Sequence, residues 1–184
     1  MRKYNSLRCI VLLLISFSLI IISFKGSVHS QTDTSGISLE SNPRGIAINP
    51  ITDIAIASNE KSDSVSVINL STQIVIASIP VGKAPRGVAI DRGLNLAVIG
   101  NSHDNTVSVI DLNANKVTAT IPVGKEPEGI AINQTTHRAY VTNHKDDTVS
   151  VIDLFSRQNL GIIQAGKEPK DIAIDPTLNL ALIV

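Results

Sequence analysis

Residues 127–168 read PEGIAINQTTHRAYVTNHKDDTVSVIDLFSRQNLGIIQAGKE. Four short apolar runs alternate here with polar turns. Gly129 to Ile132 is the first run, and Asn133 to His137 turn the chain. Ala139 to Thr142 is the second, followed by Asn143 to Asp147. Thr148 to Leu154 is the third, ended by Phe155, Ser156 and Arg157. Asn159 to Ala165 is the fourth, ended by Gly166. The runs are rich in Val and Ile, as a packed pleated surface prefers. Apolar positions nowhere recur at helical spacing. The turns carry Asn, Asp, Ser and Gly, which bond the backbone locally or accept positive φ. The stretch therefore predicts four short antiparallel strands.

The same phrase recurs. Pro43, Pro85, Pro127 and Pro169 lie 42 residues apart and open PRGIAIN, PRGVAID, PEGIAIN and PKDIAID. Asn59, Asn101 and Asn143 keep step, as do VSVINL from Val65 and VSVIDL from Val107 and Val149. A four-stranded unit of this length is a β-propeller blade, which takes about 40–45 residues. A solenoid is the competing repeat class, but it spends fewer residues per turn or uses helices. The fold class expected is all-β: a propeller of four-stranded antiparallel blades over residues 37–184. Its repeats are 43–84, 85–126, 127–168 and a partial 169–184, so three blades and half a fourth form an open ring.

Composition agrees with this. The chain has 184 residues, 43% apolar and 3% aromatic, with formal net charge zero. Propeller sheets pack on both faces, so their strands need apolar residues on both sides. Ala47, Ala89, Ala131 and Ala173 recur in the first strand, which is expected to be innermost, where volume is scarce. Ser66, Ser108 and Ser150 recur in the third strand and are expected to bond neighbouring backbone. Zero net charge and few aromatics argue against nucleic-acid binding.

Tyr140-Val141-Thr142-Asn143 spells YVTN, and with GIAIN, TVSVIDL and IPVGKEP it resembles the YVTN-type β-propeller repeat. The other units keep only the Asn of that motif, in Ile56-Ala57-Ser58-Asn59 and Val98-Ile99-Gly100-Asn101. The shared Asn59, Asn101 and Asn143 are expected to serve the turn after the strand. The resemblance implies an exported propeller of the surface-layer or cell-envelope kind. Proteins with similar repeats also include periplasmic redox enzymes, and fold does not decide between these functions.

The N-terminus has its own pattern. Arg2, Lys3 and Arg8 precede an apolar run from Cys9 to Phe24, then Lys25 to Ser30. Basic head, apolar middle and small residues before a cut are the layout of a secretory signal. Residues 1–30 are read as that signal, with Val28 and Ser30 at −3 and −1 before Gln31, and 31–36 as a leader. The alternative is an uncleaved anchor, since the run approaches the lower spanning limit of ~17 residues. Membrane contact would then come only through residues 9–24. Cleavage would leave 12 basic against 16 acidic residues, net −4, and no cysteine. Such a chain has no disulfide and no C-x-x-C-H haem attachment.

The ends shape a further expectation. Ile37-Ser38-Leu39 falls one period before Ile79-Pro80-Val81 and is read as an orphan fourth strand. Leu182, Ile183 and Val184 fall in register with Tyr140, Val141 and Thr142, mid-unit. Propellers close with about 4–8 blades, so the array is read as a piece of a longer propeller, with self-association through its open edges.

Chemistry is sparse. His103, His137 and His144 occupy variable turn positions without metal-ligand spacing. The turns at Asn143–Asp147 and His103–Asn105 lack a calcium-loop pattern. Lys83, Lys125 and Lys167 recur and would form a circle of positive charge. Asn49, Asp91, Asn133 and Asp175 end the four first strands in register and form the best candidate ligand-binding ring, with turn formation as the competing reading. No catalytic residue, metal site or cofactor is assigned. The function expected is an exported, non-enzymatic scaffold binding a protein or an envelope polymer. The alternatives are part of a periplasmic propeller oxidoreductase or of a lactonase-type metal hydrolase.

Overall fold

The computed structural model describes residues 10–15, 18–23, 36–178 and 180–184. The proposed cut site, the leader up to residue 35 and Asn179 lie outside these. Ile10–Ile15 (β1) pairs antiparallel with Ser18–Ser23 (β2). No helix among the described residues is long and apolar enough to cross a membrane.

Three four-stranded antiparallel meanders and one two-stranded sheet follow. Blade I is Pro43–Asn49 (β3), Ile54–Asn59 (β4), Ser64–Asn69 (β5) and Ile74–Pro80 (β6). Blade II is Pro85–Asp91 (β7), Leu96–Asn101 (β8), Thr106–Asp111 (β9) and Lys116–Pro122 (β10). Blade III is Pro127–Asn133 (β11), Arg138–Asn143 (β12), Thr148–Asp153 (β13) and Gln158–Gln164 (β14). Ile172–Asp175 (β15) and Leu180–Ile183 (β16) form the half blade. The fold is a β-propeller whose ring is open.

The period-2 alternation of each strand sends side chains to two neighbours. In blade II, Ala97, Ile99 and Ile110 pack with Ile56, Val65 and Val67 of blade I. Leu96, Val98, Val107 and Val109 pack on the other face with Ala139, Val141 and Ile152 of blade III. Ile56, Ile99, Ile110, Val98 and Val141 are wholly buried. Each contributes about 1.5–3 kcal/mol of burial relative to exposure, so the inter-blade layers carry the stability.

First strands touch first strands: β3 with β7, β7 with β11, and β11 with β15. They are innermost, as the small alanines require. In β3, β7 and β11 the register shifts after the proline, between Pro43 and Ile46, Pro85 and Val88, and Pro127 and Ile130. The bulge presses a glycine against the next blade. A Cβ on Gly45 would lie 2.2 Å from the Arg86 carbonyl oxygen, and one on Gly87 would lie 1.9 Å from that of Glu128. Only glycine permits this approach.

Hydroxyls stitch the same junctions. Ser58 Oγ accepts from Gly45 N at 2.8 Å and donates to the Arg86 carbonyl at 2.7 Å. Thr142 Oγ1 accepts from Gly129 N at 2.8 Å and donates to the Lys170 carbonyl at 3.1 Å. Blade II has Gly100 at this register position. A Cβ there would meet nothing closer than 3.4 Å. Gly100→Ser should supply the missing stitch between Gly87 N and the Glu128 carbonyl. A gain of about 1 kcal/mol is expected, read as a higher denaturant midpoint. An unchanged or lower midpoint would show that the stitches at blades I and III are not stabilising.

Two expectations are corrected. Ile37–Leu39 is not a strand: it has no ladder partner, and Ile37 packs instead on Ala55, Ala57 and Ile68 of blade I. Among the described residues no third strand lies beside it to pair with. Its apolar side chains still do the work of Ile79 and Ile121, which seal the next two junctions. The third-strand serines bond a side chain, described below, rather than chiefly backbone.

Among the described residues thirteen that are not glycine have positive φ. They fall at four register positions, one in each turn and inter-blade loop: for example Asn42, Ala84, Glu126 and Glu168. Ala84 and Arg157 are poor formers of this conformation, and the meander imposes it on them.

Candidate functional site at the proline end of the inner strands

The ring of Asn49, Asp91, Asn133 and Asp175 ends the four inner strands, away from the prolines. Asn49, Asp91 and Asn133 are buried, and Asp175 is exposed. Each Oδ1 accepts a backbone amide of the following turn: Ile51 at 3.1 Å, Leu94 at 2.9 Å, Thr135 at 3.0 Å and Thr177 at 2.8 Å. Two members also tie to the next blade. Asn49 Nδ2 donates to Asn95 Oδ1 at 2.9 Å, and Asp91 Oδ2 lies 2.7 Å from His137 Nδ1. The His137 ring packs edge-on against Phe155 at 4.9 Å. These four side chains thus form turns and blade-to-blade links.

The YVTN-register asparagines do more than turn the chain. Asn59, Asn101 and Asn143 are wholly buried. Asn101 Nδ2 donates to Thr106 Oγ1 at 3.0 Å and Ser108 Oγ at 2.9 Å, and Oδ1 accepts from Gly82 N of blade I at 3.2 Å. Asn143 repeats this with Thr148, Ser150 and Gly124. Each carboxamide locks a blade to the loop entering from its predecessor. Tyr140 is half-buried, and Val141 and Thr142 are buried beside Asn143.

At blade I the pattern breaks. Asn59 Nδ2 still bonds Ser64 and Ser66, but its buried Oδ1 has no partner among the described residues. Glu40 stands in the register of Gly82 and Gly124. Its carboxylate accepts instead from Ser64 Oγ at 2.5 Å and Ser78 Oγ at 2.6 Å. Those bonds, Ser64's foremost, hold the Glu40 carboxyl below its ordinary pKa. A carboxyl with a depressed folded pKa adds stability above its unfolded pKa and loses it as pH falls through the folded one. The stability gap between Glu40→Gln and the parent should therefore be present at neutral pH and close in acid. Urea titrations across pH 2–7 would read it, and a gap constant with pH would contradict the assignment.

The calcium-like turns are also committed. Asp104 Oδ2 accepts from Lys83 N at 2.7 Å, Asn105 Oδ1 from Glu126 N at 3.0 Å, and Asp146 Oδ2 from Lys125 N at 2.8 Å. Among the described residues no three His, Cys, Asp or Glu side chains gather as a metal site would need. Of the lysine circle, Lys125 pairs loosely with Asp146 at 3.8 Å, and Lys83 and Lys167 are exposed.

The charged cluster lies at the other end. The residue after each repeat proline is Arg44, Arg86, Glu128 or Lys170. Arg86 bridges two blades, with Nε 3.0 Å from Glu60 Oε1 and Nη1 2.5 Å from Glu128 Oε1. Arg44 joins Glu60 at 3.5 Å. Burial pulls the Arg86 pKa down, but Glu60 and Glu128 outweigh it and hold it above the ordinary value. In the register of Glu60 stand Ser102 and His144, both buried. Among the described residues Ser102 Oγ and His144 Nδ1 have no hydrogen-bond partner. The inner mouth thus carries a fixed ionic chain that joins blades I, II and III. The sequence signal for it was the position after the repeat proline, the one in the phrase whose charge changes sign, positive at Arg44, Arg86 and Lys170 and negative at Glu128.

No protein-family model matches the chain, and no curated protein matches it. Solved structures do. Hydrazine synthase of Kuenenia stuttgartiensis is 24% identical, with a TM-score of 0.72 over 81% of this chain and 43% of its own. A protein of unknown function from Desulfotomaculum acetoxidans is 16% identical, with a TM-score of 0.76 over 95% of this chain and 58% of its own. The WD40 repeats of RRP9 are 13% identical, with a TM-score of 0.65 over 71% and 41%. The chain spans about half the length of these structures. At such identities the likeness defines the class, a β-propeller.

Proposed function

We propose that this chain is an exported, non-enzymatic propeller scaffold of the YVTN repeat type, holding a protein or a cell-surface polymer at the proline end of its inner strands. The observation that carries the reading is the inner mouth. Arg44, Glu60, Arg86 and Glu128 are already oriented by one another across three blades. Half-buried polar groups gain strength from the lower local dielectric, and preset side chains lose little entropy when a ligand arrives. The hydrolase reading gains no such support, because the oxygens of Asn49, Asp91, Asn133 and Asp175 already accept turn amides.

Co-sedimentation of the purified full chain with washed envelope fragments of the producing cell tests the binding. The chain should pellet with the fragments, and Glu128→Gln should weaken retention about fivefold or more. No retention, or retention indifferent to Glu128, would overturn the reading. The N-terminus of the exported protein should be Gln31, and an intact Met1 would instead support the anchor.

A further inference from the structure

The junctions between blades repeat a groove at the outer rim, and blade I shows what such a groove holds. There Ser64 and Ser78 each donate a hydroxyl proton to the Glu40 carboxylate. The place equivalent to Glu40 at the next junction is Gly82, which brings no side chain. A groove of about 490 Å³ stands open there, lined by Val81, Gly82, Asp104, Thr106, Val117 and Thr120. Thr106 and Thr120 take the register positions of Ser64 and Ser78. Thr106 Oγ1 already accepts from Asn101 Nδ2, as Ser64 Oγ does from Asn59 Nδ2. Its own proton therefore remains to be donated.

One position differs. Asp104 stands where blade I has Ser62. Its Oδ2 holds the Lys83 amide at 2.7 Å, leaving Oδ1 to accept from a donor. A second carboxylate in this groove would meet that charge. A carboxamide has the shape of the Glu40 carboxylate but offers an acceptor and a donor together.

We infer that the groove between blades I and II binds a side-chain carboxamide, a glutamine or asparagine of a partner polypeptide. In the place of Glu40 Oε2 its oxygen accepts from Thr106, and in the place of Oε1 its amino group donates to Thr120 Oγ1 and to Asp104. The neighbouring groove is not equivalent. Ile162 replaces the second hydroxyl, and Asp146 Oδ1 pairs with Lys125 Nζ. The site is separate from the inner mouth, so neither proposal depends on the other.

An amide-resolved NMR titration of the full chain tests it, using acetylated, amidated Ala-Gln-Ala, Ala-Glu-Ala and Ala-Ala-Ala. The glutamine peptide should shift Gly82, Thr106 and Thr120 saturably and leave Gly124 and Thr148 unmoved. Thr120→Val should weaken it about fivefold. Asp104→Ser recreates the blade I set and keeps an oxygen for the Lys83 amide, as Ser62 does for Ser41. That variant should prefer the glutamate peptide. No saturable shift with the glutamine peptide, a parent preference for glutamate, or an unchanged preference in Asp104→Ser would each overturn the inference.

Discussion

Gly87→Ala should destabilise the protein by more than about 3 kcal/mol, at the upper end of overpacking costs. The new methyl would lie 1.9 Å from the Glu128 carbonyl oxygen and 3.1 Å from Ile130 Cγ1. The first of these is backbone, and no rotamer change relieves it. Relief requires β7 to move from β11, which would separate Arg86 from Glu128 and open the layer around Val98, Val141 and Ile152. The substitution would gain only a few tenths of a kcal/mol to about 1 kcal/mol from the stiffer unfolded chain, so the clash decides the sign. Denaturant unfolding of the variant reads the loss directly. Gly166→Ala is the matched control: a Cβ there meets nothing within 4 Å, and little change is expected.

Asn101→Ala should cost about 2–4 kcal/mol, from a cavity and from buried groups left without partners. The Gly82 amide loses its acceptor, and Ser108 Oγ loses its donor. Asn59→Ala should cost about 1 kcal/mol less, because Asn59 Oδ1 has no bond to lose. The difference between the two variants isolates the bond to the incoming loop. Equal losses would mean that the carboxamide serves only its own blade.

The fold was legible because its signals are local and repeated. Runs expected at Gly129–Ile132, Ala139–Thr142, Thr148–Leu154 and Asn159–Ala165 fall on β11 to β14 with ends shifted by one or two residues. Hydrophobic alternation and turn residues suffice for that. The roles of the asparagines were not legible, because their partners lie 5, 7 and 19 residues away. Only a folded blade brings Ser108 and Gly82 to one side chain. Positive φ at Ala84 and Arg157 was hidden for the same reason: closure of the meander overrides their own preference. The inner-mouth cluster was half visible. Arg86 and Glu128 vary within a constant phrase, but their meeting across blades requires knowing that first strands face first strands.

The central claim is that these 42-residue units gather as blades with their first strands innermost and in contact. Nuclear Overhauser effects at the repeat glycines test it most directly. Gly45 faces Val88 Cγ2, and Gly87 faces Ile130 Cγ1, each within about 3.2 Å of a built Cβ. Strong cross-peaks from the Gly45 α-protons to the Val88 methyls, and from those of Gly87 to the Ile130 side chain, are predicted. Their absence in a folded protein whose strand ladders are intact would contradict the propeller arrangement.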